Sequence, residues 1–247
     1  MFEKFTPAKA DPILGLGKLY AADVRPNKID LGVGVYKDPT GNTPIMTAVK
    51  KAEQILHDQQ ISKAYKSLGG DDVFRDKMRE LVLADAVDAA RVATLQTPGG
   101  TGAIRQLYEV LRRLNPQATI WISDPTWPSH IAMAAAMDLN TKGYTYFSAA
   151  TQLVDFEAML ADLAQMQAGD VLMLHGCCHN PTGANLNAEQ WTILTVLILE
   201  KNVTPFIDIA YQGFGDGLDA DAANLRGMAA RVPEMLIAAS CSKNFGL

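Results

Sequence analysis

The sequence predicts an α/β protein: a mostly parallel sheet with helices on both faces. Two observations carry that expectation. Short apolar runs at 93–96, 119–123, 143–147, 171–175, 204–209 and 236–239 are nearly continuous rather than alternating, as strands buried on both faces are. Between several of them lie helical patterns, over 101–114, 129–137, 156–164, 188–200 and 224–230, which is the order that parallel crossovers require.

The remaining segments follow local rules. Over 1–47 we expect an irregular arm and small-domain segment, broken by Asp11-Pro12 and by Gly15 and Gly17. Within it, 28–36 reads as a short strand opened by Gly32 and Gly34, followed by a turn at Asp38-Pro39-Thr40-Gly41. A large domain is expected over 48–247. It starts with an amphipathic helix from Thr47 to Gln59, patterned by Ala48, Ala52, Ile55 and Leu56. Tyr65 follows in a polar, glycine-ended loop. Asp71 or Asp72 then caps a second helix running through Phe74, Met78, Leu81 and Val82. The acidic stretch from Asp216 to Asp221 reads as a solvated loop.

Composition narrows the functional classes. With 247 residues, 48% of them hydrophobic, the chain can bury one large core plus a smaller piece. The net charge of -5 comes from 22 basic and 27 acidic residues mixed along the chain, which argues against nucleic acid or a membrane surface as partner. No secretory h-region follows Met1-Phe2-Glu3-Lys4, and the apolar runs at 131–137 and 193–199 are too short to span a bilayer. Cys177, Cys178 and Cys241 are odd in number and two are adjacent, an argument for a reducing cytoplasm over a disulfide framework. The cluster His175, Cys177, Cys178, His179 lacks the paired halves of a structural zinc site, so no metal is expected.

Several strand-end motifs carry possible chemistry, each with a plainer structural reading beside it. Gln96-Thr97-Pro98-Gly99-Gly100-Thr101-Gly102 joins a strand to a helix; it is either an anion site built from free N–H groups and the Thr101 hydroxyl, or a glycine turn with a Thr cap. Trp127, between Pro125 and Pro128, either packs or covers a flat ring. His130 opens a helix and fits a supporting hydrogen bond as well as a base. Asn180-Pro181-Thr182-Gly183 is either a ligand-facing amide or a turn. Asp208 lies within an apolar strand and needs a partner: a protonated ring nitrogen, or His130 and local backbone. Tyr211 falls nearby, and Lys243 stands just past the last strand, where a surface lysine is the plainer account. Taken together, the lysine, the carboxylate, the anion loop and the aromatic cover describe the requirements of pyridoxal 5'-phosphate.

The chain resembles the class I, fold-type I aminotransferases, and most of all the bacterial aspartate and aromatic amino acid aminotransferases. The resemblance rests on ADPILGLGKLYAADVRPNKIDLGVGVYKD, QTPGGTGA, ISDPTWPSH, HGCCHNPTGANL, IDIAYQGF and SCSKNFGL, in that order. It implies a ping-pong transamination between aspartate or an aromatic amino acid and a 2-oxo acid, commonly 2-oxoglutarate. In that family Lys243 would be the Schiff-base lysine and proton shuttle. Asp208 would pair with the pyridine nitrogen, supported by His130, and Asn180 and Tyr211 would meet the ring oxygen. Gly100, Thr101 and Ser240 would serve the phosphate, with Tyr65 reaching the neighbouring subunit of a homodimer. Trp127 would stack on the ring, Gly34 would line the substrate side, Asn180 would also approach the substrate carboxylate, and His175 would stand behind the site.

The resemblance also implies that the large domain is incomplete at its C-terminal end, and that the arginines gripping phosphate and substrate carboxylates lie beyond Leu247. Two other readings stay open at this stage: a pyridoxal-phosphate lyase or decarboxylase of the same fold, and a fragment without competent chemistry. The expected outcome is a weak or absent half-transamination spectral change when aspartate is added to this 247-residue chain. Turnover comparable to that of a full-length family member would overturn that expectation.

Overall fold

In the computed structural model the chain runs through helices α1 (Pro12–Ala22), α2 (Thr47–Gln59), α3 (Asp72–Leu83) and α4 (Gly99–Leu114) before its first strand, β1 (Thr119–Asp124). Then come α5 (Pro128–Ala135), β2 (Asn140–Thr145), β3 (Phe147–Ser148), β4 (Leu153–Val154), α6 (Phe156–Leu163) and β5 (Val171–His175). The chain closes with α7 (Ala188–Lys201), β6 (Thr204–Ile209), α8 (Leu218–Ala229) and β7 (Leu236–Ala239). Described residues are 2–4, 12–30, 34 and 36–247, and they divide into two units, 1–54 and 55–247. Among the described residues no helix is long and apolar enough to cross a membrane.

The first unit is more regular than its sequence implies. Pro12 opens α1 instead of breaking it, because the first helical position has no intrahelical use for the missing N–H. Gly15 and Gly17 lie inside that helix. Of the strand expected over 28–36, residues 31–33 and 35, including Gly32, lie outside the described residues; 28–30, 34 and 36 are not in a strand. The Asp38 turn does form, its Oδ1 accepting from the N–H groups of Thr40 and Asn42 at 2.9 Å each.

In the second unit five parallel strands stand in the order β2-β1-β5-β6-β7. Alternate residues of these strands feed separate cores on the two faces. Trp121, Leu172, Leu174, Ile207 and Ile209 pack with Met159, Leu163, Leu194, Ile198, Leu225 and Met228. Ile120, Ile122, Val171, Met173, Phe206 and Ala238 pack on the other side with Ile104, Tyr108, Leu111 and Ala134. Helices α6, α7 and α8 therefore cover one face, and α4 and α5 the other. This three-layer arrangement explains the continuous hydrophobicity of β5, whose first four residues are all buried.

Four expected elements are corrected. Residues 93–96 form no strand. Gln96 N–H donates to the Gly69 carbonyl (2.8 Å), its Oε1 accepts from Asp71 N–H (2.8 Å), and Arg75 reaches the Thr94 carbonyl (3.2 Å). The loop before α3 thus takes the bonds a ladder would use. Gly70 sits in this lock at φ 96°, where an added Cβ would lie 2.3 Å from Gln96 Cβ. The strand expected over 143–147 is β2, three residues earlier at its start, because Asn140–Thr145 pairs in step with β1 while Phe147 turns into a hairpin with β4. Helix α8 begins at Leu218, ahead of the expected 224. Its Asp221 is buried and accepts from the N–H groups of Gly213 (2.7 Å), Gly215 (2.9 Å) and Asp216 (2.8 Å). The stretch expected as a solvated loop is therefore helical from Leu218 and ends in the core, while Asp216 and Asp219 are exposed as expected. Helix α2 forms over the expected residues, yet Ile55 and Leu56 of its apolar pattern are exposed and Val49 is the buried one.

Asp170 closes the opposite, N-terminal edge of the sheet. Its carboxylate accepts from Thr119 N–H (3.1 Å), Trp121 Nε1–H (2.9 Å) and Gln167 N–H (2.9 Å), and its carbonyl accepts from Thr204 N–H (2.9 Å). Removing that carboxylate leaves three donors without their acceptor. Asp170→Ala should therefore cost about 3 kcal/mol of stability, read as a lower urea midpoint; an unchanged midpoint would show that the network is dispensable.

Candidate active site

Strand order reverses between β1 and β5: β2 lies on one side of β1, and β5, β6 and β7 follow on the other. Open α/β sheets bind ligands beyond the carboxyl ends of their strands at such a point. The β1–β5 ladder carries only the pairs Ile120–Val171 and Trp121–Leu172. Beyond it, side chains bridge the gap. Ser123 Oγ lies 3.0 Å from His179 Nε2 and the Tyr144 hydroxyl donates to the Met173 carbonyl at 2.9 Å.

Register sets the centre of the site. His175 on β5, Asp208 on β6 and Ala238 on β7 are direct cross-strand neighbours. His130, fully buried on α5, places Nε2 2.9 Å from Asp208 Oδ2, while the Asp208 side chain keeps 12% exposure. Thr126 Oγ1 lies 2.9 Å from His130 Nδ1 and 3.5 Å from His175 Nε2, and the Asn180 N–H donates to His175 Nδ1 at 3.0 Å. That last bond orients the whole series, because a backbone amide can only donate. His175 must accept at Nδ1 and so carries its proton on Nε2, facing Thr126. The Thr126 hydroxyl is then free to donate to His130 Nδ1, which leaves His130 Nε2–H to donate to Asp208.

Electrostatics agree with neutral rings at His175 and His179. Burial, then the neighbouring His179, pushes His175 down to about 3; burial, then His130, takes His179 down to about 4. The rings stack, His175 on His179 at 4.2 Å and His179 on Tyr146 at 3.9 Å, with His130 edge-on to His175 at 5.2 Å.

The other expected residues surround this centre unevenly. Trp127 meets His130 edge-to-face at 5.2 Å. Asn180 Nδ2 donates to the Tyr211 hydroxyl at 3.4 Å, and burial, then Asp208, raises the Tyr211 hydroxyl above its usual range. Lys243, exposed in the turn after β7, holds Nζ 5.4 Å from the centre of the Tyr211 ring. The start of α4 approaches the end of β7 closely: a Cβ at Gly100 would lie 3.3 Å from Ser240 Cβ, and one at Gly99 3.6 Å from Ser242 Oγ. Exposed Thr101 stands in that first turn, whose N–H groups lack intrahelical acceptors. Tyr65 is fully exposed on the loop before α3 and is not drawn into the cluster. Gly34 belongs to the first unit.

The sequence reading missed Thr126, His179 and Asn244. Thr126, two residues ahead of α5, and His130 in its first turn are four residues apart, a spacing that allows their bond. His179 is held on both nitrogens, by Ser123 and by Thr182 Oγ1 at 2.8 Å; nothing in its local sequence marks that. Asn244 donates to the Gln212 carbonyl at 3.0 Å, and its buried Oδ1 has no partner among the described residues.

With this geometry in place, comparison with known proteins decides the family. The family description "Aminotransferase class I and II" matches residues 26–247. The chain belongs to that family. It is 51% identical over its whole length to an aromatic-amino-acid aminotransferase of Paracoccus denitrificans and 46% identical to an aspartate aminotransferase of Escherichia coli, covering 63% of each. A solved aromatic amino acid aminotransferase with 3-indolebutyric acid superposes with TM-score 0.97 at 51% identity, over all of this chain and 63% of that one. An aromatic-amino-acid aminotransferase from Burkholderia pseudomallei, covalently bound to pyridoxal phosphate, gives 0.96 at 40% identity, with the same coverage. The expected parallel fold with two helical layers is therefore that of the aminotransferases. The chain spans about 63% of the length of these relatives.

The lowered histidines set a pH dependence. In the unfolded chain His175 and His179 would protonate below about 6.5, whereas folded they resist until about 3 and about 4. Stability is therefore fully present above 6.5 and lost as pH falls toward 4, by up to about 1.4 kcal/mol per pH unit for each histidine. Urea midpoints between pH 7 and 4.5 should fall accordingly, and His179→Gln should reduce the slope. A slope unaltered by that substitution would remove His179 as its source.

Proposed function

We propose that this chain is the cofactor-binding portion of a pyridoxal-phosphate-dependent aminotransferase that moves an amino group between aspartate or an aromatic L-amino acid and a 2-oxo acid such as 2-oxoglutarate. Within it, 1–47 would serve as arm and small-domain segment and 48–247 as the large domain. The observation that carries the reading is the His130–Asp208 bond at 2.9 Å with Asp208 still partly open to the crevice.

The residues present fit that cofactor. A partly buried carboxylate oriented by the His130 imidazole is suited to a protonated ring nitrogen, which supplies the positive charge that Asp208 needs. The close approach of Gly100 to Ser240 gathers helix N–H groups and hydroxyls where a phosphate would sit. Bound there, pyridoxal phosphate supplies an electron sink for the α-carbon of the amino acid.

Each side chain then has a distinct task. Lys243 would hold the cofactor covalently through Nζ and, once released, move the proton at the α-carbon. Asp208 would keep the ring nitrogen protonated, with His130, Thr126 and His175 holding its carboxylate in place. Asn180 and Tyr211 would bind the ring oxygen, Asn180 also near the substrate carboxylate, and Trp127 would cover the ring and line the substrate side with Gly34. Gly100, Thr101 and Ser240 would take the phosphate. Exposure of Tyr65 suits a role in a neighbouring subunit's site within a homodimer.

Borohydride treatment of the chain with pyridoxal phosphate should add the cofactor's mass to the peptide containing Lys243, with a visible absorbance band beforehand. Lys243→Ala should abolish both, while Asp208→Ala should weaken cofactor retention at least tenfold. A band and mass addition that persist in Lys243→Ala would defeat the assignment.

A further inference from the structure

Just past β5 two cysteines face the same way, against the usual rule. Successive residues of extended chain point to opposite sides, so Cys177 and Cys178 should diverge. Cys178, however, has φ 47°, a left-handed conformation that non-glycine residues seldom adopt. Gly176 lets the chain pass close to β6, since a Cβ there would lie 3.0 Å from Ile209 Cβ. Both Sγ atoms and a carboxylate oxygen of Asp221 consequently lie within 4.8 Å of one another.

Among the described residues no cation pairs with Asp221, the counter-charge that a buried carboxylate normally needs. It is 8% exposed and accepts three backbone N–H groups. The arginine of its helix, Arg226, pairs with Asp219 and the Leu81 and Val82 carbonyls instead. His175 and His179 stack on each other and are not part of this group.

We propose that Cys177, Cys178 and Asp221 bind one thiophilic divalent cation of the zinc class. Two thiolates and one carboxylate oxygen leave a fourth tetrahedral position for water. Donor sulfurs around such an ion stand about 3.8 Å apart, so modest side-chain rotation closes the cluster, and half-buried Cys178 is the point of entry. The site is separate from the aminotransferase reading and does not rest on it. No electrons are exchanged. The cation replaces two thiol protons, which pass to solvent. Burial raises both thiols; the neighbouring Cys178 and then Asp221 add to this at Cys177, and Asp221 at Cys178.

The test is titration of the reduced 247-residue chain, without cofactor, with Co²⁺. One equivalent should produce a sulfur-to-cobalt charge-transfer band that Zn²⁺ removes. The band should disappear in Cys177→Ser and in Cys178→Ser, each checked for folding by near-ultraviolet circular dichroism, and persist in Cys241→Ser. Absence of the band, or its survival in the Cys177→Ser/Cys178→Ser double variant, overturns the site. So does an Asp221→Asn chain that folds and binds as tightly as the parent.

Discussion

A carboxylate inside a parallel apolar sheet is the constraint around which this structure is arranged. Asp208 sits on β6 with a strand on each side, where an uncompensated charge costs several kcal/mol. Its compensation comes from His130, which is carried by α5 and so depends on β1 ending beside β5. The backbone that carries the imidazole is tied to the core: the His130 carbonyl accepts from the Tyr108 hydroxyl at 3.2 Å, and Tyr108 packs edge-on against Phe206 of β6 at 5.7 Å. Core packing of α4 thereby fixes a polar contact at the rim.

The same contact belongs to a directional series that begins at one backbone amide. Because Asn180 N–H can only donate, His175 accepts at Nδ1, and the Thr126 hydroxyl is free to donate onward to His130, whose Nε2–H then meets Asp208. Neutral histidines are essential to it: a proton added to His175 Nδ1 would face the Asn180 N–H head-on. Burial keeps that form through the neutral range. The polar network is consistent at every step, the condition under which such networks rigidify a site instead of weakening it.

Much of the fold was legible because the central strands are buried on both faces. β5, β6 and β7 start and end where their apolar runs do. The edge strand β2 was harder to read, since Asn140 to Gly143 are exposed and polar and are extended only because β1 pairs with them. The 93–96 run failed for the opposite reason: its sequence looks like a strand, but loop 67–71 captures its backbone. At the site, the need of Asp208 for a partner is legible from its place in an apolar strand, and the structure supplies His130 at 2.9 Å; Lys243 alone reads as a surface lysine. Thr126 and His179 are not legible in this way, since their importance arises from contacts between segments far apart in sequence. Asp221 was read as one more surface acid, because three amides that converge on it in space are not visible as a pattern in the chain.

The lock between Gly70 and Gln96 has a consequence for how this sequence can vary. A side chain at 70 would collide with Gln96 at its Cβ, and a shorter residue at 96 would release the Asp71 amide from its acceptor. Each position is therefore closed on its own account: 70 because any residue but glycine at 96 carries the Cβ that a side chain there would strike, and 96 because Asp71 needs its amide oxygen.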